Sequence, residues 1–196
     1  MNRTDTAPAH LDLLPAAQWP DGVRQVAQVL SDAGHAEPPQ VMKVPARTAQ
    51  QAADVLGVAL GQIAKSVVFR RLGDDAAVLV VAAGDQRVDE AKVAARVGAI
   101  GRADAAFVKA RTGFSIGGVS PVGHAEKPVL LIDASLARFD CIWAAAGHPH
   151  GVFPLTLADL VRLSDGAPVL DVVVTAADGL TGASAVAGPS NGATPA

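Results

Sequence analysis

Cysteine is almost missing. Cys141 is the one thiol among 196 residues, so an intrachain disulfide and a multi-cysteine metal site are both excluded. It lies in the apolar, strand-like run Phe139-Asp140-Cys141-Ile142-Trp143 and reads as an inert buried thiol rather than a nucleophile. Tyrosine is absent and aromatics make up 4% of the chain, so the core must be assembled from small aliphatic side chains. No run approaches the roughly 18 apolar residues of a membrane span. Residues 1–14 carry two acids, one arginine and no long apolar stretch, which does not read as a signal peptide. A soluble, cytoplasmic protein without a membrane partner is expected.

Excess positive charge is lacking too. Sixteen Lys and Arg stand against 19 Asp and Glu, for a net charge of -3, which argues against a general nucleic-acid coat protein. Arg70, Arg71, Arg87, Lys92, Arg96, Arg102, Lys109 and Arg111 do concentrate in the middle of the chain. That concentration fits either a local contact with one end of a nucleic acid or a solvated face.

What is present suits one ordinary globular domain, with about half the residues apolar and 18% charged. Residues 1–20 hold three prolines and little periodicity, a loose lead-in. Val23, Val26, Ala27 and Leu30 fall at helical spacing, with Gly34 as a stop. A short strand is expected at 41–44, and a helix at 49–56 between the N-cap Thr48 and Gly57. After a turn at 60–64, Lys65 opens a strand to Arg71, which Gly73-Asp74-Asp75 joins to a second strand at 76–83 as an antiparallel hairpin. A helix at 89–97 closes on Gly98, and strands are expected at 106–109, 128–133, 141–146, from 152, and at 169–174. A short helix at 134–139 and one capped by Thr156 complete the pattern, and the Ala/Gly/Ser/Pro-rich residues 175–196 read as a disordered tail. Strands and helices without regular βαβ alternation predict a single α+β domain on a mixed sheet over 21–174.

Three features carry chemistry. Lys65, at the head of a nearly apolar strand, either snorkels to solvent or presents its ammonium in a pocket to a phosphate or carbonyl oxygen. The segment Thr112-Gly113-Phe114-Ser115-Ile116-Gly117-Gly118-Val119-Ser120-Pro121-Val122-Gly123 has glycines enough to bring backbone N–H groups close to a ligand. It is neither a Walker loop, since no Gly-Lys-Ser/Thr follows, nor a dinucleotide fingerprint. Gly147-His148-Pro149-His150-Gly151 has His-x-His spacing but no evident third metal ligand beyond the speculative His124. A Ser120, His150 and Asp133 triad would lack a nucleophile elbow.

In that order, Arg47-Thr48-Ala49 with Gln62-Ile63-Ala64-Lys65-Ser66-Val67-Val68-Phe69, the glycine-rich segment, and the His-Pro-His loop with its following helix resemble the YbaK/EbsC family over roughly residues 22–174. The resemblance implies the editing-domain fold of bacterial prolyl-tRNA synthetases, a mixed, partly barrel-like sheet flanked by helices. It also implies hydrolysis of the ester joining a wrong amino acid to a tRNA 3′ end. By the same resemblance Lys65 is the catalytic residue, and Thr48, Ser66, Gly117, Gly118, Ser120, Pro121, Gly123, Gly147 and His150 bind substrate. It implies no cofactor or metal. The implied partners are the 3′ acceptor end of aminoacyl-tRNA and a synthetase, with no DNA. An aminoacyl ester is labile, so positioning it and a water near a cation and backbone donors can suffice without a nucleophile. Ser66, where some subfamilies carry Thr or Asn, and His148-Pro149-His150, where some relatives are basic, leave the amino acid removed open. Cys, Ser and Thr stand beside Ala as candidates. The competing readings are a non-catalytic tRNA- or nucleotide-binding module with Lys65 on a phosphate, and a metal-assisted hydrolase using His148, His150 and His124.

Overall fold

Two apolar runs flanking Gly73-Asp74-Asp75 form the central hairpin: β2 (Ile63–Arg71) and β3 (Ala77–Ala83) pair antiparallel from Ala64↔Ala83 to Arg70↔Ala77. In this computed structural model, which describes residues 11–174, every residue of β3 is buried. A strand covered on both faces needs a continuous apolar run rather than alternation, and 77–83 supplies one.

The other strands are β1 (Gln40–Val41), β4 (Ile100–Arg102), β5 (Val129–Asp133), β6 (Ile142–Ala145), β7 (Gly151–Leu155) and β8 (Val169–Leu170). Together they make one eight-stranded mixed sheet in the order β1-β7-β6-β2-β3-β5-β8, with β4 also on β2. Pairing is parallel for β2–β6, β3–β5 and β5–β8 and antiparallel elsewhere. The helices are α1 (Asp21–Asp32), α2 (Ala49–Leu56), α3 (Glu90–Val97), α4 (Ala105–Thr112) and α5 (Leu157–Leu163).

Strand alternation sorts the hairpin into two cores. Leu79, Val81 and Ala83 face the main one, where Val23, Val26 and Leu30 of α1 dock, each nearly or wholly buried. Each of those α1 side chains contributes roughly 1.5–3 kcal/mol on burial. Val78 and Val80 face a second core with Phe69, Val93 of α3 and Val172. A third cluster, Met42, Leu56, Ile63, Trp143 and Val152, lies under α2.

One irregularity of the sheet positions the site. β6 runs beside β2 only at Ile63 and Ala64, and β4 covers that strand only at Phe69, Arg70 and Arg71. Among the described residues, none pairs with 65–68 as a strand on this edge.

Several expectations are corrected. Residues 106–109 are helical, within α4, because Asp104 caps it through Phe107 N–H (2.8 Å) and Gly113 ends it in a left-handed turn. Its short apolar run suits strand and helix equally, and the caps decide. β4 was not anticipated, being three residues with a central glycine. β2 begins at Ile63, so Lys65 is the third residue of its strand rather than its mouth. The strands expected at 41–44 and 169–174 shrink to β1 and β8, with isolated bridges Leu13↔Met42 and Val88↔Val173 beyond them. Residues 11–20 are docked rather than loose: Leu14 N–H donates to Val41 O (2.7 Å), and Leu14 and Trp19 pack on the main core. The expected tail and residues 1–10 lie outside the described residues.

Candidate active site

A cleft of about 260 Å³ opens where β6 parts from β2. Its floor is Ile63, Ala64 and Lys65 with Trp143 and Ala144, and its apolar wall is Ala46, Ala52 and Val152. Arg47, Thr48 and Ala49 at the start of α2 form one lip. Ile116, Gly117 and Val119 of the glycine-rich segment and His148 and Pro149 form the other.

Lys65 interrupts an apolar stripe. On its face of β2, Ile63 enters the third cluster and Phe69 the second, so the lysine occupies the gap between two cores. Its cross-strand neighbour Ala82 leaves room for the stem. The ammonium does not snorkel free, because Nζ donates to Gly84 O (3.2 Å) and to Gln86 O. Burial lowers its pKa from the ordinary lysine value, and the nearby Asp85 carboxylate partly opposes the shift. An ammonium has three N–H donors, so these two acceptors leave one uncommitted.

The two loops read separately from the sequence meet here. A Cβ built on Gly118 would stand 2.7 Å from the Cα and carbonyl carbon of His148 and 2.9 Å from Pro149 N. The contact is backbone against backbone, which only glycine permits. Behind it, Gly147 (φ 80°) and Gly22 pack equally closely, since a Cβ on Gly147 would meet Gly22 O at 2.6 Å. The His-Pro-His loop is in turn stitched to the chain leading into α2, by Met42 N–H to His150 O and Ala46 N–H to Pro149 O, both 2.8 Å. Among the described residues, the N–H groups of Gly117 and Val119 donate to no protein acceptor, so they are available as donors at the cleft.

Of the residues expected to touch substrate, Lys65, Thr48, Ser66 and Gly117 line the cleft. Ser66 points its side chain to the face opposite Lys65, and its Oγ is buried without a protein partner. Thr48 Oγ1 is engaged as the N-cap, accepting from Gln51 N–H at 3.2 Å. Gly118, Ser120, Pro121, Gly123, Gly147 and His150 stand behind the lining. Ser120 is fully buried, its Oγ accepting from Val122 N–H (3.2 Å), and His150 Nδ1 donates to Met42 O (2.8 Å). None of these six is among the residues that line the cleft.

His148, not singled out as substrate-binding, does line the cleft. Burial first, then the charge of His150, lowers its pKa, so the ring is neutral near pH 7. Its Nδ1 accepts His150 N–H at 3.3 Å, which leaves the proton of the neutral ring on Nε2. Arg47, Ile116 and Pro149, seen only as parts of longer motifs, and Trp143 line the cleft as well. The signals were slight: Arg47 precedes an N-cap, and Trp143 is one of two tryptophans. The triad is not assembled. Asp133 is buried, accepting from Ser135 and Val172 N–H, while Ser120 and His150 are engaged elsewhere. His124 is tied to Ser120 O (2.8 Å), and among the described residues no trio of His, Cys, Asp or Glu is grouped as metal ligands.

Comparison with known proteins finds relatives by sequence and by fold. A protein of Bacillus subtilis (strain 168), the uncharacterized protein YwhH, is 39% identical over 126 residues, 64% of this chain and 80% of that one. A crystal structure of a candidate trans-editing enzyme for prolyl tRNA synthetase superimposes with a TM-score of 0.74 at 34% identity, covering 80% of this chain and 99% of that one. The crystal structure of the hypothetical protein APE2540 gives a TM-score of 0.71 at 25% identity, over 76% and 99% of the two chains. Residues 43–163, which hold both lips of the cleft and Lys65 between them, match the model of the aminoacyl-tRNA editing domain, and the chain belongs to that family.

Proposed function

We propose that this protein is a free-standing deacylase that hydrolyses the ester between a wrongly attached amino acid and the 3′ end of its tRNA. The observation that carries the reading is the cleft itself. A cation with one N–H to spare lies on its floor, two backbone N–H groups without an acceptor among the described residues belong to its rim, and its wall is apolar. Donors arranged in advance around a developing oxyanion are the largest contribution a protein makes to acyl-transfer chemistry, and an activated ester needs no protein nucleophile. Lys65 acts as the cation that orients the ester carbonyl, and the Gly117 and Val119 amides take up charge as water adds. His148 Nε2–H is a further donor at the same rim.

The size of the cleft supports a small amino acid. Pockets for drug-sized ligands run from about 300 to 1,000 Å³, and this one is smaller, suited to a short side chain and part of the terminal ribose. The alanyl ester of tRNA-Pro is the substrate of choice, with cysteinyl, seryl and threonyl esters next. Arg47, exposed on the lip with no protein partner for its guanidinium among the described residues, is suited to a phosphate of the acceptor strand. The companion synthetase would be the one that makes the error.

The test is a panel of mischarged tRNAs incubated with purified protein, scored by release of free amino acid. Turnover of small-residue esters, lost in a folded Lys65→Ala variant, is the expected result. No release above buffer across the panel sinks the reading. Salt-sensitive tRNA binding without turnover favours a binding module in its place.

A further inference from the structure

The two carbonyls that hold the Lys65 ammonium belong to Gly84 and Gln86, the residues on either side of Asp85 in the turn leaving β3. The Asp85 carboxylate points away into a two-point bond with Arg138, Nη2 to Oδ1 at 2.7 Å and Nη1 to Oδ2 at 3.0 Å. Arg138 is itself fixed. Its Nε donates to Ser135 O at 2.8 Å, and its guanidinium lies over the Phe139 ring, 4.9 Å from the centroid. The turn is also pressed from the other side. A Cβ on Gly84 would stand 2.4 Å from Leu60 O, and one on Gly61 would stand 2.8 Å from Asp85 Oδ2 and 2.7 Å from Phe139 Cζ. Little slack remains between the ion pair and the chain leading into β2.

We infer that Asp85 and Arg138 are positioning residues for Lys65: their paired forks hold the 84–86 turn so that its two carbonyls aim the ammonium into the cleft. The inference rests on the reading of Lys65 above and extends it to a pair that does not line the cleft. A bidentate arginine–carboxylate bond fixes orientation as well as distance, which a flexible turn would not do alone. The pair also supplies charge. The bond from Arg138 lowers the Asp85 pKa below the ordinary carboxylate value, and that negative charge offsets part of the burial that lowers the Lys65 pKa. The charged and titratable groups involved are Asp85 from the turn, Arg138 behind it, Asp133 acting on Arg138, and Arg47 and the neutral His148 at the cleft.

The variants are Asp85→Asn, which keeps shape and removes charge, Arg138→Leu, and Arg138→Lys as the conservative rescue. Each is checked for folding by its melting curve. Two readouts are taken on the full chain: kcat and KM for an aminoacyl-tRNA the wild type hydrolyses, and the ¹³Cε shift of Lys65 against pH in lysine-labelled protein. Asp85→Asn and Arg138→Leu should lower kcat about ten- to a hundredfold with KM little changed, as displaced catalytic groups do. The Lys65 midpoint should fall in Asp85→Asn, which removes the opposing charge, and rise in Arg138→Leu, which leaves the Asp85 carboxylate without its counter-cation. Arg138→Lys should recover part of the rate. Wild-type kcat in both variants overturns the inference, and so does a lost rate with an unmoved Lys65 titration, which would mean general loosening. A fully active Lys65→Ala variant is a separate failure. It removes the catalytic reading, while the titration still reports whether the pair holds the lysine.

Discussion

Replacing Gly118 by alanine adds one methyl group at the seam between the glycine-rich segment and the His-Pro-His loop. That methyl would stand 2.7 Å from two backbone atoms of His148 and 2.9 Å from Pro149 N, and no side chain can rotate away to relieve it. One loop has to move. Overpacking of this kind costs about 1–3 kcal/mol, and in a domain of this size each kcal/mol lowers Tm by about 2–4 °C. A fall of roughly 2–12 °C is therefore expected in thermal unfolding followed by circular dichroism. Because His148 and Pro149 line the cleft, deacylation of a small-residue ester should fall more than the stability loss explains, measured in single turnovers well below the new Tm. Gly73→Ala is the control. Its Cβ would meet nothing within 4 Å and its φ is not positive, so its stability should change by no more than about 0.5 kcal/mol. If the two variants melt within about one degree of each other and turn over alike, the contact between the loops is not what builds the cleft.

Arg47→Ala should raise KM for an aminoacyl-tRNA while sparing kcat, and should make the log–log salt dependence shallower by about 0.7, the contribution of one phosphate on a single strand. An aminoacyl-adenosine lacking that phosphate should be hydrolysed equally by both proteins, and a matching loss on it would place Arg47 elsewhere. Burial holds His124 below the ordinary histidine pKa, its bond to Ser120 opposing, so the unfolded chain takes up that proton first. Stability is then intact above the unfolded value of about 6.5 and declines as pH falls through it toward the folded pKa, with His148 shifted the same way. His124→Gln should flatten the fall of Tm between about pH 7.5 and about pH 5.5, and an unchanged slope would assign it to other groups.

The hairpin, α1, α2 and α5 were legible because periodicity, caps and turn residues agreed at each. α4 was not, since four apolar residues in a row have no period to read and the deciding capping bond is a contact rather than a pattern. The site divided in a similar way. Lys65, the glycine-rich segment and the His-Pro-His loop stood out by composition, whereas Trp143 reaches the cleft through strand order and the two loops meet through packing, neither of which is local in sequence. Gly118, Gly147 and Ser120 were recognisable as unusual, yet they stand behind the cleft lining rather than in it.

By itself the sequence determined most of the element types and the placing of a lone lysine in an apolar strand, because each depends on residues within a few positions of one another, and its single cysteine excluded an intrachain disulfide. Whether that lysine faced solvent or a pocket depended on partners far along the chain. Only the tertiary structure brought the turn at 84–86, the ion pair at Asp85 and Arg138, and the seam at Gly118 and His148 around it. A charge is stabilised by what surrounds it in space, and that surrounding exists only once the sheet has paired.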